Sequence, residues 1–395
     1  MLVLNTFTQA GAPLVEADAR ILTAAAAQDA AAFAALHSAS GPSPLVSLPG
    51  LASNLGISAL WLKDEGDRLG LGSFKALGGA YAVARVISEA ASRRLGRRIG
   101  FGDLDDPAVR TISAETTVTC ATDGNHGLSV AQGAVWAGCH AVIFAPERVS
   151  GPRLAAISSR GARVVRVDGT YDDAVAAAAR ASRELGWTLI SDIASQEDEQ
   201  VPRIVMQGYT VLAEECLGQL QERPTHFFVQ AGVGGLAAAV AGRFADALGA
   251  SKPKTIVVEP SRAACLFESA RAGRLVGVES GPATIMSMLE CYKPSVIAWN
   301  ILSRLADAFM TVDEADAVRA MRWLAHPVGG DRSVVAGASG AAGLAGLIQI
   351  AQSAEERALL ELGPEARVLV INSEGASNDA LLYRELVGPS VQAGA

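Results

Sequence analysis

The chain has 395 residues, half of them hydrophobic and 19% charged, which suffices for one large α/β unit or two ordinary domains with sizeable cores and excludes a disordered chain. Its formal net charge of −8 argues against a nucleic-acid binder, because phosphate backbones demand a basic face. Five cysteines without CxxC spacing predict neither a zinc site nor a disulfide framework, and whether Cys265 and Cys291 meet is left open.

In chain order, the N-terminus lacks the basic region and apolar core of a secretory signal, so a cytoplasmic location is the default expectation. An alanine-rich helix is expected over 24–36. PSPLVSLPG, 42–50, reads as a loop, since proline disrupts regular pairing. A strand over 59–63 precedes GSFKALGGAYA, 72–82, which opens a helix predicted over 74–92. Residues 93–115 read as polar and irregular. A strand over 118–121 leads through CATDGNHGLSVAQ, 120–132, into a helix over 127–137. Strands at 140–144, 163–167 and 188–191 then alternate with helices at 152–160 and 171–185. A helix over 206–220 and a strand over 226–230 follow. VQAGVGGLAA, 229–238, joins that strand to a helix over 236–247, and a strand over 255–259 and a helix over 314–325 come next. The apolar run 334–351 is long enough to consider as a membrane span. Its Gly, Ser and Gln content and its lack of a basic flank make it a buried helix instead, predicted over 341–354, before a last strand over 367–372. Alternating strands and helices predict βαβ units around parallel sheets covered on both faces, with no membrane-embedded part.

Four stretches carry chemistry. Lys75 stands among glycines, alanines and Phe74, an apolar setting that disfavours the ammonium form and suits a nucleophilic amine; a lysine laying its stem along apolar surface is the ordinary alternative. The turn at 232–236 has the glycines of a phosphate cradle at a helix N-terminus, although such a turn also serves close packing. It is not a Walker loop, because Leu236 follows the glycines, and as a dinucleotide fingerprint it has Ala237 in the third glycine place. Thr122, Asp123, Asn125 and His126 crowd one strand-to-helix turn, more polar groups than capping alone requires. Ser373 ends the last strand, where a hydroxyl could meet a ring nitrogen. A lysine suited to imine chemistry and a remote phosphate cradle together imply a phosphorylated carbonyl compound, of which pyridoxal phosphate is the obvious one.

The order of these motifs resembles the fold-type-II pyridoxal-phosphate enzymes, the tryptophan-synthase-β-like group that includes threonine and serine dehydratases. Within that group the chain is most similar to the diaminopropionate ammonia-lyase family, through PSPLVSL, LKDEGDRLGLGSFKALGGAYA, ATDGNHG, TYDDAV, PRIVMQGYTVLAEE, PTHFFVQAGVGGLAA, IVVEP, PATIMSML and INSEG. Asp123 in ATDGNHG separates that family from the dehydratases, which usually carry Ser or Thr there.

The resemblance implies an α/β fold whose large and small domains are each an open, mostly parallel twisted sheet flanked by helices. The large domain would hold 1–95 and 205–395, with 96–204 inserted. It implies that Lys75 is the Schiff-base lysine and Phe74 lies beside the cofactor ring. Asn125 would bind the ring hydroxyl, Gly232, Val233, Gly234, Gly235 and Leu236 would wrap the phosphate, and Ser373 would face the pyridine nitrogen. Thr122, Asp123, Gly124, His126 and Asp192 would lie on the substrate side. Lys75 and Asp123 would act as bases on opposite sides of Cα, so that D- and L-2,3-diaminopropionate both eliminate to pyruvate and ammonia. A homodimer acting on a small amino acid is the family expectation.

The chain departs from the family pattern at Leu128, where arginine is usual, at IASQEDEQ after Asp192 in place of a segment like AWEGY, at Ala338 in place of glutamate, and at EGASND in place of EGDTD. These departures lie around the expected substrate. Elimination of another β-substituted amino acid, a serine or threonine dehydratase and a racemase are therefore the alternatives on this scaffold. A nicotinamide-dependent oxidoreductase and a noncatalytic ligand-binding relative are the alternatives from other classes.

Overall fold

The computed structural model describes residues 1–7, 9–38, 41–194, 199–327, 329–376 and 380–388. Among these, eleven strands form two sheets. They are β1 (Leu2–Leu4), β2 (Leu45–Ser47), β3 (Ala59–Asp64), β4 (Thr117–Ala121), β5 (His140–Pro146), β6 (Arg163–Val167), β7 (Thr188–Leu189), β8 (His226–Gln230), β9 (Lys254–Pro260), β10 (Ala308–Val312) and β11 (Arg367–Asn372). The chain divides into two compact units, one of Met1–Ala24, Pro42–Asp67 and Leu212–Ala395, the other of Ala25–Gly41 and Arg68–Val211.

The first unit holds a sheet in the order β1-β10-β9-β8-β11-β3-β2, parallel except at its two antiparallel edges. Every residue of β8 and β10 is buried, the pattern of parallel strands covered on both faces. The helix Ala338–Ala351 covers part of this sheet. A Cβ on Gly343 would lie 3.0 Å from the Phe228 carbonyl, and one on Gly346 would lie 2.7 Å from Val258 Cγ2. The apolar run at 334–351 is thus rich in small residues because its helix lies close against strands. No helix among the described residues is long and apolar enough to cross a membrane.

The second unit holds a parallel sheet in the order β6-β5-β4-β7. Its helices Lys75–Leu95 and Asn125–Ala137 approach through small residues. A Cβ on Gly133 would lie 2.7 Å from Ala80 Cα, and the Ala80 N–H donates to Ser129 Oγ at 2.9 Å. The division therefore differs from the expected one at 95/96 and 204/205. The Lys75–Leu95 helix belongs with the second unit because its glycine face is seated on Asn125–Ala137.

All eight expected strands are present, to within a few residues at their ends. Two short readings change. Residues 42–50, expected as a loop, contain the edge strand β2, paired antiparallel with β3; Pro44 and Pro49 flank it, and an outer edge tolerates neighbouring proline. Residues 93–115, expected as irregular, contain the helix Pro107–Ala114, whose first turn is capped by Asp106 accepting from the Ala108 N–H at 2.8 Å.

Replacing Gly133 by alanine is expected to lower stability by about 1–3 kcal/mol, the cost of overpacking against backbone that cannot rotate away. The urea midpoint of the purified chain measures it, and an unchanged midpoint would contradict this packing.

Candidate active site

In the second unit, Phe74 is the N-cap and Lys75 the first residue of a helix that ends at Gly96, whose φ of 65° is the left-handed C-cap. The Lys75 amine donates to Asp192 Oδ2 in a close ion pair, and both side chains are largely buried. Its Nζ also stands 5.6 Å from the Phe74 ring centroid and 6.0 Å from that of Tyr209. The setting expected for Lys75 from its sequence neighbours extends to the Tyr209 ring, but it also contains a charge. Its tertiary neighbour is a carboxylate.

Burial works against ionisation of Asp192, but the Lys75 ammonium and its hydrogen bond to the carboxylate outweigh it. They hold the carboxyl well below the usual carboxylate range. His126 is itself kept neutral, because burial lowers it more than nearby Asp192 raises it. Its Nε2 lies 2.8 Å from the Ile190 carbonyl, which only accepts, so Nε2 carries the proton. Nδ1 is then the bare nitrogen, 3.9 Å from Asp192 Oδ2.

The turn after β4 explains part of its own polarity. Thr122 was expected on the substrate side, but its Oγ1 accepts from the Gly124 and Gly127 N–H groups at 2.9 and 2.8 Å, so this hydroxyl builds the turn. Gly124 adopts φ 146°, a conformation that requires glycine. Asp123 Oδ2 accepts from Arg148 Nη2 at 3.2 Å. Asn125 begins the following helix with its side chain buried. Leu128 is buried on that helix, and Ala338 is the first residue of Ala338–Ala351 in the other unit. Residues 195–198 and 377–379, which include much of the two remaining departures, lie outside the described residues.

In the first unit, β8 runs through Ala231 and Gly232 to Val233, Gly234 and the helix Gly235–Leu248, which Leu236 continues. Gly234 has φ 98°, and a Cβ there would strike Ala298 Cβ at 2.9 Å. A Cβ on Gly232 would lie 2.9 Å from Cys291 Sγ. The Ser295 N–H holds the Val233 carbonyl at 3.0 Å. The first bond of the helix runs from the Ala238 N–H to the Gly234 carbonyl, so the preceding N–H groups of that turn lie outside the helix ladder. A turn of this kind suits an anion. Cys265 Sγ lies 3.7 Å from the Gly232 carbonyl, and no disulfide joins the described cysteines.

Ser373, just beyond β11, has a partner that sequence reasoning missed. Gln230 Nε2 lies 3.0 Å from the Gly340 and Ile371 carbonyls and 2.8 Å from Ser373 Oγ. Two carbonyls fix the amide's orientation; its two hydrogens are shared among the three oxygens, and because an amide nitrogen accepts nothing the Ser373 O–H is not spent on Gln230. The serine's own O–H is thereby left for a further acceptor, such as an unprotonated ring nitrogen. The signal was the apolar run FFV of β8 followed at once by an amide, Gln230. Tyr209 was also missed as an individual residue. Its signal was QGY inside a helix, where glycine marks close approach.

Replacing Asp192 by asparagine is expected to destabilise the cofactor-free protein by about 1.5–3 kcal/mol at neutral pH, the range for a hydrogen bond to a charged group. Because the folded carboxyl lies below its unfolded value, the difference from the parent should persist above about pH 4 and shrink as pH falls further. Urea titrations of both proteins between pH 3 and 7 measure it.

The family described as pyridoxal-phosphate dependent enzyme matches residues 36–374 of the chain. The diaminopropionate ammonia-lyase of Escherichia coli (strain K12) is 36% identical over 352 residues, covering 88% of this chain and 87% of the relative. A crystal structure of the Escherichia coli enzyme in complex with D-serine matches with a TM-score of 0.87 and 33% identity, over 98% of this chain and 96% of that one. Another, in complex with an aminoacrylate-PLP azomethine reaction intermediate, matches with a TM-score of 0.84, 33% identity and the same coverage. The chain is therefore a member of the pyridoxal-phosphate-dependent enzymes, with the fold-type-II architecture and homology along most of its length to the diaminopropionate ammonia-lyases.

Proposed function

We propose that the chain eliminates the β-amino group of 2,3-diaminopropionate, yielding pyruvate and ammonia. The observation that carries this reading is the ionised, buried Asp192, whose carboxylate already holds an ammonium, that of Lys75. A β-ammonium can depart as neutral ammonia, whereas a β-amine would have to leave as an anion, so a carboxylate that keeps the amine protonated assists the step.

Pyridoxal phosphate, when bound, conjugates with the substrate amine and acidifies its Cα–H. The residues present fit it: the N–H groups of the turn at 232–236, which precede the helix ladder, suit its phosphate, the Ser373 O–H suits its ring nitrogen, and Lys75 supplies an amine for its aldehyde. In this reading Phe74 borders the ring and Asn125 donates to its hydroxyl. Lys75 Nζ takes the Cα proton on one side and the Asp123 carboxylate takes it on the other, which accommodates both configurations. Arg148 orients Asp123 through their ion pair. Asp192 holds the β-ammonium, with His126 Nδ1 behind it. Released product hydrolyses to pyruvate and a second ammonia. The same reading takes the working protein as a cytoplasmic homodimer, which light scattering on the purified protein tests.

A second reading is supported by the structure of the relative with D-serine bound and by the residues that differ at Leu128 and Ala338. It is dehydration of a β-hydroxy amino acid by the same residues.

Purified protein loaded with pyridoxal phosphate should form pyruvate and ammonia from D- and L-2,3-diaminopropionate. Lys75→Ala should abolish this. Asp123→Asn should slow one enantiomer by roughly 10²–10⁴-fold, the usual contribution of a general base, and the other far less. Pyruvate from serine but not from diaminopropionate would replace the first reading by the second; no product from any β-substituted amino acid would overturn both.

A further inference from the structure

The Lys75 amine stands near two oxygens of opposite character. Asp192, ionised, can only accept hydrogen bonds, and so favours the amine that carries all its hydrogens. Tyr209 presents a phenol instead. Its ring packs edge-on to Phe74 at 4.8 Å and lies 6.0 Å from Lys75 Nζ. Its hydroxyl is buried, makes no close hydrogen bond among the described residues, and has Lys75 as the side chain placed to bond with it. A phenylalanine would fill the same volume without stranding a polar atom, so the hydroxyl calls for a reason.

The seat of this ring is built into two helices. A Cβ on Gly78, one turn after Lys75, would lie 2.4 Å from Tyr209 Cε1. One on Gly208 would lie 2.4 Å from the Leu77 carbonyl. Glycine at both places admits the tyrosine to the first turn of the lysine's helix.

We infer that Tyr209 is a positioning residue for Lys75: its hydroxyl donates to the lone pair of the neutral amine and holds Nζ in place in the state from which it adds to a carbonyl or takes a proton. This rests on the reading of Lys75 as the amine that engages the cofactor. Asp192 and Tyr209 then divide the work, the carboxylate holding the ammonium and the phenol the amine. Burial pushes the phenol far up, with Lys75 opposing, so Tyr209 keeps its proton at working pH. The other titratable groups near the pair are His126, kept neutral by burial, and the Cys120 thiol on β4, pushed up by burial and by Asp192. Neither competes as a charge.

A donor to the neutral form lowers an amine's pKa, and removing it raises that pKa. The full-length, cofactor-free protein and its Tyr209→Phe variant are labelled with an amine-reactive anhydride from pH 6 to 11, and the Lys75 peptide is quantified by mass spectrometry. The labelling midpoint of the variant should move up by about 0.5–1 pH unit, the size of one net hydrogen bond. Uptake of pyridoxal phosphate at pH 7 should slow by about three- to tenfold, in step with the smaller neutral fraction. A midpoint that stays in place or moves down overturns the inference, even if the melting temperature falls, because a purely structural tyrosine would affect stability alone. Borohydride reduction of the loaded parent separates the two readings. Labelling of a residue other than Lys75 overturns the cofactor assignment and this inference together, whereas labelling of Lys75 with an unmoved midpoint overturns only the role given to Tyr209.

Discussion

Asp192 beside Lys75 is the constraint on which the second unit's chemistry depends. A charge withdrawn from water is tolerated only with a partner, and here each side chain is the other's partner. The aspartate comes from the segment after the short strand β7, and the lysine opens a helix 117 positions earlier. Their meeting fixes where β7 must end relative to the N-terminus of that helix. It also gives His126 its orientation: Nε2 is committed to the Ile190 carbonyl, two residues before Asp192, so Nδ1 is turned toward the carboxylate.

The close fit around this pair has a cost in backbone entropy. Glycine inside a helix is less favourable than alanine by roughly 0.5–1 kcal/mol. The chain nonetheless has glycine at 78, 79, 133 and 208, each where a Cβ would meet a neighbour at under 3 Å. Gly79 and Gly133 bring two helices together, and Gly78 and Gly208 admit the Tyr209 ring. The loss at each glycine is offset by packing that no larger residue permits. Positions of this kind define the pocket of the lysine more than the lysine's own neighbours do.

In the first unit the same economy of side chains serves polarity. The Gln230 amide nitrogen lies against two carbonyls and Ser373, and because it accepts nothing the serine's proton is not spent on it. A neutral hydroxyl at that place suits an unprotonated pyridine, a weaker electron sink than a pyridinium. Such a sink fits elimination, in which the leaving group carries electrons away, better than transamination. Glu259 secures the region behind the glycine turn. Its carboxyl accepts from the Leu266 and Phe267 N–H groups at 2.9 and 2.6 Å, and burial raises it to about 8.

Strands, helices and glycine turns were legible because they depend on residues within a few positions of one another. The apolar runs of β3, β8 and β11, the alanine-rich helices and the turn at 232–236 are of that kind. β2 and the helix Pro107–Ala114 were missed because three residues between prolines, or eight in a charged passage, carry too weak a local pattern. By itself the sequence determined the α/β class, the cofactor family and Lys75 as the residue of interest, since each rests on motifs read in order along the chain. Only the tertiary structure decided that Lys75 faces a carboxylate, that the Thr122 hydroxyl accepts within its own turn, that Gln230 lies against Ser373 and that the Tyr209 ring stands beside Lys75. The electrostatic surroundings of a side chain are set by segments remote in sequence, and no local pattern encodes which of them will arrive.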